Sequence, residues 1–473
     1  MVFASTEFLW LFMPIALVAY LAIAPRWRNG LLASVSLLFY VWGAHAILFV
    51  FLASIALNFA AGRLIHRFRE RGEERAVRRT LIAAIAANVA ILAFWKYLGF
   101  GVAQLNHVLG VVGSDGLGTP HIALPIGISF FTFHGISYLV DITRGDARPL
   151  RNIADYAQYM AFFPQLIAGP IIRYHQIADQ LLAPPSRAQR ADDLAAGFPR
   201  FALGLSKKVL VADPAGAIAN AAFATDGDLT SATAWVGVFA YTVQIYFDFS
   251  GYSDMAIGLA RFFGFRFPEN FNRPYSAVSM TDFWRRWHMT LSRWFRDYVY
   301  IPLGGSRGSQ AQTIRNLLFV FLLTGAWHGA SWTFVLWGLY HGALLVGERL
   351  TGLRTWDADR RVVLRRAATF VLVMFGWALF RADSLGEVAR FWQAMLVPSG
   401  WSLDPAVRDA LNTETVLALG VGALSVLLPR SFVLGRVLQG RSLLPRVAVL
   451  AVLPWAAITV AAGSFSPFLY FRF

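Results

Sequence analysis

The 473 residues contain no cysteine. That absence excludes disulfides, thiolate metal sites and a cysteine nucleophile, and with them any covalent thioester intermediate on this chain. Charge is also scarce: 15% of the residues are charged against 57% from the AVILMFWYC set, and mean hydropathy is +0.52. So little polarity could not cover the surface of the two to four soluble domains that this length would otherwise suggest. Acidic residues are the rarer sign, 27 Asp+Glu against 42 Lys+Arg, which leaves +15. In a soluble protein this balance would point to nucleic acid. Here the basic residues sit in short connections between apolar runs, the positive-inside pattern of an integral membrane protein, and no nucleic-acid partner is expected. HExxH or His-rich ligand spacing, a GxSxG elbow and a Walker loop are missing too, so no metal site, serine nucleophile or phosphate chemistry is expected. Nor is there an internal repeat of the kind a polysaccharide transporter, the competing class of function, would carry.

A bilayer core about 30 Å thick needs about 20 helical residues. Apolar runs near that length fall at roughly 8–24, 31–44, 46–62, 80–98, 121–141, 233–250, 367–381, 414–428 and 447–463, with a weaker one at 199–213. The first is preceded by Glu7 and no basic residue, so it reads as a retained helix rather than a signal peptide. Arg26 and Arg28 and the Arg-bearing stretches 63–79, 144–151, 187–200, 261–315, 349–366 and 430–446 occupy alternate connections, assigned to the cytoplasm. Residues 99–120, 214–232 and 382–413 then lie outside with both termini, a parity that closes only if 199–213 is counted.

Three segments do not read as simple crossings. Residues 156–172 hold Pro164, Gly169 and Pro170 between cytoplasmic charge signals, which suits a re-entrant segment. In 283–307 the rings of Trp284, Trp287 and Trp294 interleave with Arg285, Arg286, Arg293 and Arg296, as in a helix lying at headgroup level with rings inward and guanidinium groups outward. The apolar run 316–326 is only about 11 residues, a rise of about 16 Å, before Trp327-His328-Gly329, and a second run follows. This predicts His328 near mid-membrane at a helix break, where an ionisable residue is functional by default.

Among the nine histidines, His66, His107, His121 and His175 fall in loops or span ends, and His45 in a short hairpin. His134 and His341 lie in apolar spans, where a neutral, hydrogen-bonded core histidine is the usual outcome. His328 stands apart by depth. With cysteine, serine and metal chemistry absent, general-base catalysis remains: a neutral imidazole takes the proton of a hydroxyl as it attacks an activated carbonyl, and acyl transfer fits that need.

Phe283-Trp284-Arg285-Arg286-Trp287-His288, Trp294-Phe295-Arg296-Asp297-Tyr298, Ile301-Pro302-Leu303-Gly304-Gly305 and Gly325-Ala326-Trp327-His328-Gly329 resemble the membrane-bound O-acyltransferase (MBOAT) family. Leu124-Pro125-Ile126-Gly127, Phe163-Pro164-Gln165-Leu166 and Tyr246-Phe247-Asp248-Phe249-Ser250-Gly251-Tyr252-Ser253-Asp254 fit it too, so the match covers most of the chain. The resemblance implies an all-α polytopic membrane protein, a ring of about 10–12 transmembrane helices with re-entrant segments and cytoplasmic amphipathic helices. Residues 1–473 would form one integral membrane domain: N-terminal helices in 1–150, a core bearing the motifs in 151–350 and C-terminal helices in 351–473.

The family's catalytic histidine maps onto His328 and its second histidine onto His288. By resemblance, acetyl-coenzyme A or an acyl carrier would serve as donor substrate from the cytoplasm, with no tightly bound cofactor. The acetyl group would pass to a periplasmic acetyltransferase partner within a polysaccharide biosynthesis complex in the lipid of the bacterial inner membrane. The acceptor class is an exopolysaccharide such as alginate, with peptidoglycan, cellulose or D-alanyl transfer to teichoic acid as alternatives; Arg- and Ala-rich usage favours a Gram-negative host and hence acetyl. Arg285, Arg286 and Arg296 would meet donor phosphates, although topology alone also accounts for them. Asp248, Tyr252 and Asp254 would line the path, or simply mark a helix end. Trp327 and Trp332 would wall the site, or simply pack, and Trp287 is a further donor-binding candidate.

Overall fold

The computed structural model describes residues 2–43, 47–114, 116–120, 122–182, 187–353, 362–428, 438, 443–463 and 468–469. His45 and His121 lie outside the described residues. The described chain is all-α, without a strand, and clusters into two compact units.

The first unit holds Glu7–Asp193 with Ala260–Phe267. After a π-helical turn, Phe8–Phe12, come α1 (Met13–Ala22), α2 (Arg28–Gly43), α3 (Leu48–Glu70), α4 (Glu74–Val111), α5 (Ile128–Arg144), α6 (Ile153–Ala161), α7 (Phe163–Leu166) and α8 (Tyr174–Leu182). Helix α5 is the centre of this unit, with 13 of its 17 residues buried. Helix α4 is the opposite case, its apolar window 11% buried and Ile82, Val89 and Phe94 exposed, as on a helix facing lipid. It runs on through residues 99–111, part of the stretch 99–120 that its scarcity of basic residues assigns to the outside. The 156–172 segment is a short, fully interior piece: α6 breaks at Phe162, α7 makes one turn, and the Phe162 and Phe163 rings pack on Phe263 and Phe265. Some buried polar groups of this unit pair with one another, whereas both ring nitrogens of His134 and the Gln158 side-chain amide are buried with no hydrogen-bond partner among the described residues, contrary to the hydrogen-bonded state expected of His134. Asn58 of α3 and Asn88 of α4 exchange two side-chain hydrogen bonds, 3.0 and 2.8 Å, and Gly135 of α5 comes so close that a Cβ there would lie 2.8 Å from the Asn58 amide.

The second unit holds Val2–Thr6, Leu194–Leu259 and Pro268–Phe473. Its helices are α9 (Arg187–Lys207), which begins in the first unit, α10 (Asp213–Phe223), α11 (Ser231–Phe262), α12 (Met280–Trp284), α13 (Met289–Phe295), α14 (Gln310–His328), α15 (Trp332–Leu350), α16 (Val362–Arg381), α17 (Leu385–Leu396), α18 (Pro405–Ala410), α19 (Thr413–Leu427) and α20 (Leu444–Ala461). Helices α10, α17 and α18 fall in stretches that lacked a long apolar run and were assigned to outside loops. They are amphipathic or short, so hydropathy does not reveal them.

By length and composition four described helices can cross a membrane: Leu48–Glu70, Glu74–Val111, Val362–Arg381 and Leu444–Ala461; Phe8–Ala22 and Thr413–Leu427 are shorter apolar stretches. Others expected to cross carry charges that they bury in the protein. Lys208, in the π-helical turn Lys208–Ala212, pairs with Asp213 at 2.6 Å and with Asp248 of α11 at 2.9 Å. Arg200 pairs with Asp254 and Glu269, both at 2.6 Å, and Lys207 with Asp254 at 2.7 Å. Facing one another is how such residues escape lipid.

The three π-helical turns, Phe8–Phe12, Lys208–Ala212 and Arg296–Tyr300, share one cause. Each precedes a proline by one intervening residue: Pro14, Pro214 and Pro302. In an α-helix the proline ring would meet the carbonyl four residues back. Met13, Asp213 and Ile301 instead donate to the carbonyl five residues back, widening the turn and making room.

Two stability outcomes follow from the buried polar pairs. Asn88→Leu strands part of the Asn58 amide and is expected to cost about 1–2 kcal/mol, read as a lower thermal midpoint in detergent. Lys208→Met leaves Asp213 and Asp248 buried without their cation and should cost more, about 3–5 kcal/mol by the same measurement.

Candidate active site

His328 is the last residue of α14, which starts in a capping box formed by Ser309 and Gln312. The helix begins at Gln310, six residues before the apolar run, and its 19 residues rise about 28 Å. His328 therefore stands at the end of a 19-residue helix of which the apolar run forms only the later part. The break itself is present: Gly329 is extended and α15 starts at Trp332.

The two helices of this hairpin touch backbone to backbone. A Cβ on Gly325 would lie 2.2 Å from the Phe334 carbonyl oxygen, and one on Gly338 2.3 Å from that of Phe321. This contact brings Trp337 of α15 to 5.0 Å from the His328 ring, Phe380 of α16 stands at 5.1 Å, and Trp327 covers another side at 4.9 Å. His328 is buried, and a cavity of about 470 Å³ opens from the neighbouring Gly329, lined by Ser331, Thr333, Phe380, Arg381 and Asp383.

His288 reaches the same place from a different element. The 283–300 segment is not one continuous amphipathic helix: α12 and α13 are separate, and His288 between them holds a left-handed backbone, φ 41°. Trp284, Trp287 and Trp294 are buried within the protein, and Arg285 is exposed. The His288 ring is fully buried, 4.7 Å from Phe249 and 6.1 Å from Trp327, and its Nδ1 lies 3.1 Å from Asn270 Oδ1. Burial pushes its pKa down to about 3, so the ring is neutral at physiological pH. One indole, Trp327, thus separates the two histidines.

The other sequence candidates divide. Trp287 stacks among Phe283, Tyr275 and Trp377. Arg286 is bound to Asp282 at 2.7 Å and Arg296 to Asp297 at 2.7 Å. Asp248 holds Lys208 and accepts from the Leu469 amide at 2.9 Å, and Tyr252 is stacked between Phe3 and Phe468, each at 4.6 Å. Asp254 lines a smaller cavity of about 220 Å³ with Arg200, Lys207, Ser250 and Asn270. His341, buried between Trp284 and Trp337, is 5.2 and 4.8 Å from their rings. Sequence reading missed Asn270, Phe249, Trp337 and Phe380. It also missed Glu348, whose carboxylate caps α12 by accepting from Met280 and Thr281. Among the described residues no cluster of three potential ligands could hold a metal ion.

The model of the membrane-bound O-acyltransferase family, MBOAT, matches residues 144–375, a span that contains both histidines. A probable alginate O-acetylase of Azotobacter vinelandii is 40% identical, with all of both chains covered. The chain belongs to the membrane-bound O-acyltransferase family. It is accordingly a multi-pass membrane enzyme that transfers acyl groups to hydroxyls. A probable alginate O-acetylase of Pseudomonas aeruginosa is 44% identical over 90% of this chain and 79% of its own. A peptidoglycan O-acetyltransferase of Helicobacter pylori is 35% identical over 87% and 82%.

The hairpin contact yields a direct test. Gly338→Leu must push α14 from α15 and displace His328, and is expected to lower acyl transfer per membrane copy by about 100-fold. Gly347→Leu on the same helix, where a Cβ meets nothing within 4 Å, should stay near wild type in the same measurement of acylated product.

Proposed function

We propose that this enzyme takes an acetyl group from a cytoplasmic thioester donor, acetyl-coenzyme A or an acyl carrier, and passes it toward hydroxyls of an exopolysaccharide of the alginate type. The observation that carries the substrate class is the gradient of identity: 40–44% to the two probable alginate O-acetylases, 35% to the peptidoglycan enzyme. His328 acts as general base. It takes the proton of the accepting hydroxyl while the hydroxyl oxygen bonds to the acyl carbon; the C–S bond of the donor then breaks, and the imidazolium returns the proton to the departing thiolate. The packed Trp327, Trp337 and Phe380 rings exclude water that would otherwise hydrolyse the donor. His288, across Trp327, orients the donor, and the exposed Arg285 meets its phosphates. The enzyme works in the bacterial inner membrane and hands acetyl groups to a periplasmic acetyltransferase partner.

Mass spectrometry of acetyl content on secreted and cell-wall glycans, from cells carrying wild type, His328→Ala and His288→Ala at equal membrane abundance, tests this reading. Loss of acetyl from the secreted polymer in both variants is the expected result. Loss from peptidoglycan alone would reassign the acceptor, and unchanged acetylation of every glycan would remove His328 from catalysis.

A further inference from the structure

A left-handed backbone at a residue with a side chain costs about 1–2 kcal/mol, so something must hold His288 in it. Two backbone hydrogen bonds to the 270–272 segment do so: Met289 donates to the Asn270 carbonyl and Asn272 to the Arg286 carbonyl, both at 2.9 Å. The Asn270 side chain, itself buried, lies against the imidazole. Its Oδ1 accepts from the Thr290 amide at 3.3 Å and the Thr290 hydroxyl at 2.8 Å, and its Nδ2 donates to Ser253 Oγ at 3.1 Å. A backbone N–H can only donate, so the oxygen of the Asn270 amide must be the atom on that side. That same oxygen is the one 3.1 Å from His288 Nδ1. Because an amide oxygen only accepts, Nδ1 must carry the proton. Nε2 then holds the lone pair, and it is buried with no hydrogen-bond partner among the described residues.

We propose that Asn270 is a positioning residue that locks His288 in the Nδ1–H tautomer and thereby presents Nε2 to the acyl donor as a hydrogen-bond acceptor. The inference rests on the reading that places His288 in the donor's path. It restricts what His288 does there. A bare Nε2 binds an N–H or O–H group of the donor, such as an amide in its arm, and does not polarise the donor's carbonyl, which would require a proton on Nε2.

The surroundings keep the ring neutral. Helix α11 presents Phe249, and its Asp254 is bound by Arg200 and Lys207; Glu269, beside Asn270, is also bound by Arg200. Helix α14 presents Trp327, with His328 on the far side of that ring. Burial is the cause of the low proton affinity.

The test compares Asn270→Ala, Asn270→Asp, Ser253→Ala and His288→Ala in cells at limiting expression, reading acetyl groups on all glycans per membrane copy of the enzyme. Asn270→Ala is expected to lose about 10- to 100-fold per copy, by analogy with residues that orient metal-bound histidines through the second ring nitrogen. Asn270→Asp, which still offers an oxygen to Nδ1–H, should restore most of that rate. Ser253→Ala, which frees the Asn270 amide on one side, should lower it a few-fold and decides the matter if Asn270→Ala does not accumulate. A wild-type rate per copy in whichever of Asn270→Ala and Ser253→Ala accumulates, or an Asn270→Asp as impaired as Asn270→Ala, overturns the role of Asn270. Full activity in His288→Ala instead sinks the underlying reading of His288.

Discussion

Contact between the backbones of α14 and α15 sets the position of His328. Lipid offers no hydrophobic drive for one apolar helix to prefer another, so helices in a membrane associate through close van der Waals packing, and only small residues permit it. Gly325 and Gly338 supply the missing volume on facing helices, each lying where a methyl group would strike the partner's carbonyl oxygen. The hairpin closes, α14 ends at the turn, and its final side chain is enclosed by Trp327, Trp337 and Phe380. The imidazole is thus the last side chain of its helix, set in an apolar enclosure by the geometry of the hairpin.

The second constraint is that charge must be neutralised inside the protein. Lys208 between Asp213 and Asp248, and Arg200 and Lys207 around Asp254, let α9, the following π-helical turn and α11 carry ionised groups in a chain with little water-facing surface. These pairs explain why Asp248 and Asp254 occur in an aromatic-rich stretch without assigning Asp248 to substrate. Tyr252 is likewise accounted for by its stack between Phe3 and Phe468. The region of α11 that brings Phe249 to His288 is the region that these ion pairs immobilise, so the scaffold for the second histidine is electrostatic where that of the first is steric.

Much of this was written locally. Absent cysteine, scarce charge and Arg-punctuated apolar runs determine a multi-pass all-α membrane protein, because bilayer thickness and the cost of burying charge act on any chain of this composition. The glycines beside Trp327-His328 mark the helix break for the same reason, and the motifs around His288 and His328 identify the family. Tertiary structure decided the rest. Residues 283–300 have the pattern of one amphipathic helix, yet the chain breaks at His288 because Asn270, 18 residues away, and its neighbours supply hydrogen bonds that no local pattern encodes. Helices α10, α17 and α18 have no long apolar run, and the partners that Arg286, Arg296, Asp248 and Tyr252 meet in the fold are not legible in the sequence. A sequence records what each residue can bond; which partner it meets depends on packing between segments distant along the chain, and at this site that packing sets the His288 tautomer and the enclosure of His328.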